Sequence, residues 1–374
     1  MKVHFFSPAR SIDPRQTVLE MYRGCGNNSG NMVFVNALAS QIDYAEASFG
    51  YVVNAAQIND EYDAVVIPAA NWINPGMNLQ GFYDALKDVR KPCIVAGIGA
   101  QSAGYDQKPS IPDGTRRFLD LISQRSALIG TRGDYSSAIM RQLGYDNVVT
   151  TGCPSLFWNS SYGLHEIRAP GTPNPQNIVF QGTRHNIPNH DFYKSGYHAR
   201  QRAAFQHAME HNYHYVIQSE LEEIYFALGR RNNAQVNQEI DEKLTQYYGR
   251  AMEDGLEDYL RNRMVFFTDL DAWRSYLAER DFVLTTRIHG SIMAMQSGTP
   301  ALLLWHDART REIADYAGLP CMPFDEFDFE ADLADVARLA DYDRARERYP
   351  ANAARYVDYL EANGLPHRFA VTVA

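Results

Sequence analysis

The sequence predicts an α/β protein built from two domains, each with a mainly parallel sheet. Short apolar runs rich in β-branched residues alternate with amphipathic stretches along most of the chain. The alternation is interrupted once, near the middle, and then restarts. A length of 374 residues also exceeds that of one ordinary domain. Together these observations favour two successive βαβ-type halves.

The first half carries the pattern of a parallel sheet with helices between its strands. Apolar runs of strand length occupy residues 2–6, 63–68, 92–98, 127–131 and 147–151. Helical spacing predicts helices over residues 31–40, 113–125 and 135–143, the last of which Gly144 can end. We therefore assign residues 1–165 to an N-terminal Rossmann-like domain.

A change in amino-acid composition marks the domain boundary. Residues 162–177 contain three prolines and two glycines with few apolar residues, which is typical of a connecting segment. We place the linker at residues 166–177 and the second domain at residues 178–374.

The second half repeats the alternation. Strands are predicted over residues 178–181, 213–218, 264–268, 282–285 and 301–305, and helices over 199–210, 272–278, 292–296, 310–317, 330–340 and 351–362. Residues 220–257 form a charged section that we predict to be helical with an inserted loop. Two Rossmann-like domains of this kind face each other across a cleft in the GT-B-like arrangement, and we expect the last helix to pack back toward the N-terminal domain. Ligands of open α/β sheets bind at the carboxyl ends of the strands, so chemistry is expected there.

Composition excludes several classes of function. The net charge is −10 and no basic run is present, which argues against a nucleic-acid partner. The four cysteines are scattered without a CxxC pair, so neither a disulfide framework nor a zinc site is indicated. Asp269 and Asp271 favour a helix cap over a metal-binding DxD pair, and we expect no metal. Without a secretory apolar region or a membrane-length apolar run, we expect a cytoplasmic protein, free or peripheral to the inner face of the membrane.

The segment 281–305 concentrates the residues best suited to chemistry. A strand ends just before Arg287 and His289, and a helix begins with Gly290 and Ser291. The free N–H groups of a helix start can hold an anion, and an arginine offers a planar charged fork to phosphate or carboxylate. A histidine titrates near neutrality, so this junction can bind an anion and supply a proton. The structural alternative is a salt bridge for Arg287 and a buried, satisfied His289.

This segment resembles the signature of the polysaccharide pyruvyl transferase family, in which R-[LI]-H-G is followed by a G-x-P turn and an apolar strand. Here the matching residues are Arg287-Ile288-His289-Gly290, Gly298-Thr299-Pro300 and residues 301–305. Residues 131–136 resemble a second family stretch, R-[DG]-x-x-S. Two positions depart from the family pattern, because Asn31 and Cys153 stand where aspartates are common.

The resemblance implies the reaction. The donor is phosphoenolpyruvate, a co-substrate that requires no cofactor, and the acceptor is a sugar that is free, polymeric or lipid-linked. The product is a cyclic pyruvate ketal on a glycan or its precursor, as in exopolysaccharide or cell-envelope biosynthesis. In this interpretation His289 is the general acid, and Arg287 with the helix start at Gly290 and Ser291 holds the donor.

Further residues follow predicted strands and face the same cleft. Arg184, which follows the first strand of the second domain, is the candidate second anion clamp, and His306 is a further donor-binding candidate. The candidates for binding the acceptor are Asn28, Asn31, Gln101, Arg132 and Glu220. Glu220 could also serve as a base for the attacking hydroxyl.

Two other functions share these features. A GT-B glycosyltransferase would use a nucleotide sugar, whose diphosphate a helix start could hold. The retaining enzymes of that class usually carry a glutamate pair, whereas only Glu312 lies near the relevant strand end. A non-catalytic sugar- or anion-binding module is the third possibility, and replacement of His289 would distinguish it because such a module has no activity to lose.

Overall fold

The computed structural model describes residues 1–182, 196–230 and 233–370. The N-terminal half is a parallel sheet flanked by helices. Its elements in chain order are β1 (Lys2–Phe5), α1 (Val18–Gly24), α2 (Asn31–Gln41), β2 (Glu46–Phe49), α3 (Ala55–Glu61), β3 (Ala64–Pro68), α4 (Gln80–Leu86), β4 (Cys93–Ala96), α5 (Asp113–Arg125), β5 (Ile129–Thr131), α6 (Asp134–Gln142) and β6 (Val148–Thr150). Four strands pair in the order β2-β1-β3-β4, and β5 pairs with β6. A parallel bridge between Ile98 and Thr131 connects the two sets at their carboxyl ends.

The C-terminal half contains a second parallel sheet. Its elements are β7 (Ile178–Gln181), α7 (Tyr197–Glu210), β8 (His214–Ile217), α8 (Leu221–Ala227), α9 (Ala234–Tyr248), α10 (Leu256–Arg263), β9 (Met264–Phe266), α11 (Leu270–Ala278), β10 (Phe282–Thr285), α12 (Ile288–Gln296), β11 (Ala301–Trp305), α13 (Ala308–Ala317), β12 (Cys321–Pro323), α14 (Leu333–Arg338) and α15 (Asp343–Ala362). The strand order is β12-β11-β10-β7-β8-β9. The order reverses between β7 and β10, and ligands of such sheets bind outside the carboxyl ends at this point.

The central strands owe their position to apolar side chains on both faces. Every residue of β3, β4, β7 and β10 is buried. Strands covered by helices on both sides need such continuous apolar runs, which is why these strands were visible in the sequence. The predicted fold class, α/β with two Rossmann-like domains of GT-B-like type, is confirmed by the two parallel sheets.

The last helix, α15, returns to the N-terminal half. The Tyr359 hydroxyl donates to the carbonyl of Val95 at 2.7 Å, and the Tyr356 hydroxyl donates to the Gln41 side chain at 2.7 Å. Both tyrosines are buried, so each hydrogen bond satisfies a polar group inside an apolar interface.

Some elements differ from the sequence prediction. The last helix begins at Asp343 and not at residue 351, so Pro350 lies inside it. Burial of Ala345 and Tyr349 in the preceding turns outweighs the one backbone hydrogen bond that the proline cannot donate. The short strand β2 was missed because its residues are exposed or half-buried and lack an apolar run.

Candidate active site

Arg287 and His289 lie where the sequence placed them, at the junction between β10 and α12. The backbone N–H of Arg287 donates to Thr285 Oγ1 at 2.9 Å, and that of Thr286 donates to the Gln181 carbonyl at 3.0 Å. These bonds turn the chain from the strand into the helix. The junction therefore lies at the point where the strand order of the second sheet reverses.

The guanidinium of Arg287 is already engaged inside the protein. Its Nη2 donates to Glu220 Oε1 at 2.8 Å and to Ser219 Oγ at 2.9 Å, and its Nε donates to the Gly182 carbonyl. Both ionic side chains are buried, so the carboxylate neutralises most of the arginine charge. This geometry favours a positioning role for Arg287, because the pair ties the carboxyl ends of three neighbouring strands together. Donor contact by Arg287 and an acceptor or base role for Glu220 remain predictions.

His289 is buried between the two halves. Its ring lies 5.5 Å from the ring of Phe34, and its Nε2 lies 3.9 Å from the sulfur of Cys153. Burial lowers the pKa of His289 well below its usual value, and the charges of Arg132, Arg309 and Arg287 lower it further. The imidazole is therefore neutral at pH 7 while the site holds no anion.

The loop before α2 brings Asn28 to this histidine. A Cβ built on Gly30 would lie 2.5 Å from Gln218 Oε1, 3.0 Å from Asn28 Oδ1 and 3.2 Å from His289 Nδ1. The N–H of Ser29 also donates to the Gln218 carbonyl at 2.9 Å, which fixes this loop against the second domain. Glycine at position 30 thus leaves room for these three side chains where the two halves meet. Asn31 lies one residue further, and its side chain donates to the carbonyls of Cys25 and Gly26 at 3.0 and 3.1 Å, which holds the loop in shape.

Arg132 is fully buried and faces the same place from the first domain. Its Nε donates to the Gly97 carbonyl at 2.7 Å and its Nη2 to the Ala69 carbonyl at 2.8 Å. The guanidinium carbon lies 5.4 Å from the centre of the Phe34 ring, which also packs against His289. The two carbonyl contacts orient the fork but do not neutralise its charge.

Arg309 is a cation that sequence reasoning missed. Its Nη2 lies 3.5 Å from Asp307 Oδ2, and its buried Nε has no hydrogen-bond partner among the described residues. Burial lowers the pKa of both His289 and Arg132, and the charge of Arg309 lowers both further, so the three groups share one electrostatic environment. The available signal was its position, since Arg309 follows β11 at the carboxyl edge of the sheet.

The amides of Gln181 and Gln218, which sequence reasoning missed, lie with the predicted Ser291 in a buried polar cluster around the start of α12. Both amide atoms of Gln181, the amide nitrogen of Gln218 and the hydroxyl of Ser291 have no hydrogen-bond partner within the part of the chain that the structure describes. Buried polar atoms are nearly always satisfied in folded proteins, so we expect a polar ligand or ordered water to contact this cluster. A Cβ on Gly290 would lie 1.9 Å from Gln181 Oε1, so glycine there leaves room for the amide. We call Arg132, Gln181, Gln218, His289, Ser291 and Arg309 the cleft site.

The remaining predicted residues lie around this cluster. Gln101 donates from Nε2 to Asp307 Oδ2 at 3.1 Å and accepts from Asn71, so it connects the two halves. His306 is buried beside the Tyr197 ring at 5.0 Å, and burial lowers its pKa to about 4. Arg184 lies outside the described residues.

Two further expectations concern metals and membranes. Asp269 caps α11, since its Oδ1 accepts from the N–H of Ala272 at 2.8 Å, and the predicted cap is confirmed. Residues 1–182, 196–230 and 233–370 contain no group of three or more His, Cys, Asp or Glu side chains that could hold a metal ion. Across the same ranges, no helix has the length and apolar character needed to cross a bilayer.

The sequence signature agrees with this site. A family model described as polysaccharide pyruvyl transferase matches residues 21–308, which include Arg132 and His289. The chain belongs to the polysaccharide pyruvyl transferase family. The resemblance seen in the segment around Arg287 is thereby confirmed. A search among curated proteins finds no match.

Solved structures resemble this family member at low sequence identity. A Staphylococcus aureus structure described as MnaA with UDP has 12% identity and a TM-score of 0.45, with 96% of each chain covered. HepE from Anabaena in complex with UDP and glucose has 12% identity and a TM-score of 0.43, with 97% of each chain covered. UDP-GlcNAc 2-epimerase from Neisseria meningitidis bound to UDP-GlcNAc has 11% identity and a TM-score of 0.39, with 97% of this chain and 100% of that chain covered.

Proposed function

We propose that this family member transfers the pyruvyl group of phosphoenolpyruvate to two hydroxyls of a saccharide, forming a cyclic ketal and releasing phosphate. The observation that carries the proposal is the cleft site, where Arg132 and Arg309 surround a neutral His289. Two cations and a buried imidazole suit a small ligand that is anionic at both ends and must receive a proton.

The donor would be held by the cleft site. Within the described part of the protein, Arg132 donates to two carbonyls, which do not neutralise its charge, and Arg309 has a free Nε. Phosphate and carboxylate match the planar fork of arginine. The amides of Gln181 and Gln218 with the hydroxyl of Ser291 supply neutral donors, as ordered polar groups do for developing charge in other transferases. Arg287 would act through Glu220, by fixing the loop that presents these groups.

Binding of the donor would prepare its own proton source. The cations around His289 depress its pKa in the empty site, and an anion placed among them opposes that effect. The imidazole then takes up a proton when phosphoenolpyruvate binds. A protonated His289 next to the donor can act as the general acid.

The reaction balances with these groups. Transfer of a proton from His289 to the methylene carbon makes a methyl group and leaves a cation at the central carbon. The first sugar hydroxyl forms a C–O bond to that carbon and loses its proton to the imidazole of His289, which restores the proton that the histidine gave up. The second hydroxyl forms the other C–O bond while the bond to the phosphate oxygen breaks, and its proton leaves with phosphate. No oxidant, reductant or cofactor is needed.

The experiment is saccharide-dependent release of phosphate from phosphoenolpyruvate, measured across a panel of sugars. The product is identified by mass spectrometry as a sugar with one ketal-linked pyruvyl group. We expect Arg309→Gln to lower kcat/KM by at least about a hundredfold, since it removes a charge-assisted contact to the donor. The matched control is Arg338→Gln, which changes an exposed arginine paired with Asp335 and should leave the rate unchanged.

Either of two outcomes would overturn the assignment. Phosphate release that does not depend on any sugar would indicate hydrolysis, and equal rates for Arg309→Gln and the wild type would remove the cleft site from the reaction. Turnover of a nucleotide sugar in the same panel would instead support the glycosyltransferase alternative.

A further inference from the structure

A cavity of about 640 Å³ lies between the two halves, and Glu312 forms part of its lining. Its walls come from α6 and the Tyr105 loop of the first domain, and from α13 and α15 of the second. The volume falls in the range of small-molecule sites, and such sites are common between domains. Three arginines line it, namely Arg344, Arg348 and Arg355, and we call it the arginine cavity.

The three arginines project from one face of α15. Their spacings of four and seven residues, about one and two helical turns, place them on the same side of the helix. Arg348 donates to the backbone carbonyl of Asp315, which aims it across the opening toward α13. The helix thus presents a row of cations to the cavity.

These arginines are not neutralised by carboxylates. Among the described residues, no Asp or Glu lies within salt-bridge distance of any of the three, whereas Arg346 on the same helix pairs with Asp343 at 2.8 Å. Asp315 lines the cavity but already faces Arg311 at 3.5 Å. Unpaired cations gathered in one cavity are unexpected in a chain with a net charge of −10, and they attract an anion.

The other carboxylates that line the cavity offset the positive charge of the three arginines only in part. Burial raises the pKa of Glu312 to about 8, so that group is largely uncharged at neutral pH. Asp134 lies at the start of α6 and accepts from Thr150 Oγ1 at 2.7 Å. The partial positive charge at the start of α6 and this hydrogen bond offset part of the negative charge of Asp134.

Aromatic rings form the opposite wall. The rings of Tyr105 and Tyr135 stack with centroids 5.3 Å apart and an interplanar angle of 23°. Tyr316 adds a third ring, beside Arg355. Flat faces with hydroxyls at their edges suit the C–H faces and hydroxyls of a sugar ring.

The arginine cavity and the cleft site meet at one turn. Glu312, which lines the cavity, accepts from the N–H of Ser136 at 2.9 Å and from its hydroxyl at 2.6 Å. A Cβ on Gly133 would lie 2.7 Å from Glu312 Oε2, and the preceding residue is Arg132 of the cleft site. A ligand in the cavity therefore lies next to the turn that carries a donor-binding cation.

We propose that the arginine cavity binds an anionic saccharide, with its phosphate or carboxylate on the arginines of α15 and its ring against the tyrosines. The statement that this saccharide is the acceptor rests on the proposed function, whereas the binding itself does not. The shared chemistry is an oxyanion carried on a pyranose ring. A phosphate ester and a uronate carboxylate are its two sources.

The test is calorimetric binding to the full chain with glucose 6-phosphate, glucuronate and, as the neutral control, methyl glucoside. The double variant Arg344→Gln/Arg355→Gln removes two cations at accessible positions of α15. We expect at least one anionic sugar to bind more tightly than methyl glucoside and to lose about tenfold or more in the double variant. Tighter binding of glucose 6-phosphate would identify phosphate as the preferred group, and tighter binding of glucuronate would identify carboxylate.

Arg346→Gln is the matched control, because Arg346 lies on the same helix outside the cavity lining. It should bind the anionic sugar as the wild type does. Equal losses in the control and the double variant would indicate a general charge effect and overturn the proposal. So would the absence of any preference for anionic sugars over methyl glucoside.

Phosphoenolpyruvate titrations separate this proposal from the proposed function. The double variant should bind phosphoenolpyruvate as tightly as the wild type, because its changes lie outside the cleft site. Anionic sugar binding without phosphoenolpyruvate binding would sustain the cavity and contradict the donor. Phosphoenolpyruvate binding without anionic sugar binding would contradict the cavity alone.

Discussion

At the scale of single residues, the imidazole of His289 is surrounded by groups that favour its neutral form. The sulfur of Cys153 lies 3.9 Å from its Nε2. Burial removes water from around the imidazole, and the positive charges of Arg132, Arg309 and Arg287 act on it as well. In the proposed reaction, His289 would therefore take up a proton from solvent when the donor binds.

Replacing Cys153 with aspartate should change this balance. A carboxylate next to the imidazole favours the charged form, so Cys153→Asp should raise the pKa of His289 toward its usual value. A general acid loses activity as the pH rises through its pKa, so the fall of kcat/KM with pH should move to higher pH. The pH profile of phosphate release measures this shift. Cys153→Asn has nearly the same size without the charge, and coincident profiles for the two variants would contradict the interpretation.

Sequence reasoning found candidate site residues only where a local sequence pattern marked them. Arg287 and His289 could be found because a strand, a charged pair and a glycine follow one another in the chain. Arg309 was not found, because its role depends on its electrostatic interactions with His289 on another helix and with Arg132 of the first domain. The engagement of Arg287 by Glu220 was likewise invisible, since the two residues are separated by 67 positions.

At the scale of elements, the start of α12 depends on a residue without a side chain. A Cβ on Gly290 would approach Gln181 Oε1 to 1.9 Å and Thr285 Oγ1 to 2.6 Å. Gly290→Ala should therefore displace both groups, lower the free energy of unfolding by roughly 1–3 kcal/mol and weaken phosphoenolpyruvate binding. Denaturant unfolding and calorimetry measure the two effects.

Gly81 offers the matched control for that substitution. It lies in the helix α4, and no neighbouring side chain or backbone atom would come within 4 Å of a Cβ added there. Gly81→Ala should therefore be neutral or stabilise by about 0.5–1 kcal/mol. Equal unfolding free energies for the two variants would show that the contact at α12 is not restrictive.

Elements with a strong local pattern were predicted well. The helix α5 has the predicted bounds, because its buried residues recur with helical spacing. The start of α15 was not found, since a proline normally ends a helix and only tertiary burial of Tyr349 explains why the helix continues through Pro350. Local sequence cannot report such burial.

At the scale of the whole molecule, Glu312 joins the two halves through buried hydrogen bonds to Ser136. Burial raises the pKa of this carboxyl to about 8 in the folded protein. Between its unfolded pKa of 4.5 and about 8, the folded state holds a proton that the unfolded state has lost. The contribution of protonated Glu312 to the free energy of unfolding is therefore complete at low pH, and it is lost as the pH rises from 4.5 to about 8.

Glu312→Gln should remove that dependence. Glutamine imitates the protonated carboxyl and does not titrate, so the unfolding free energy of the wild type should fall relative to that of the variant as the pH rises from about 5 to 8. Denaturant unfolding across this range measures the difference. Parallel curves for the two proteins would show that Glu312 keeps its charge in the folded state.

The most direct test of the account is calorimetric binding of phosphoenolpyruvate in two buffers with different heats of ionisation, with UDP-glucose titrated in parallel. We predict saturable binding of phosphoenolpyruvate with proton uptake, a loss of at least about tenfold in Arg309→Gln and less proton uptake in His289→Gln. UDP-glucose should give no heat from the cleft site. Tight binding of UDP-glucose with no binding of phosphoenolpyruvate would contradict the central claim.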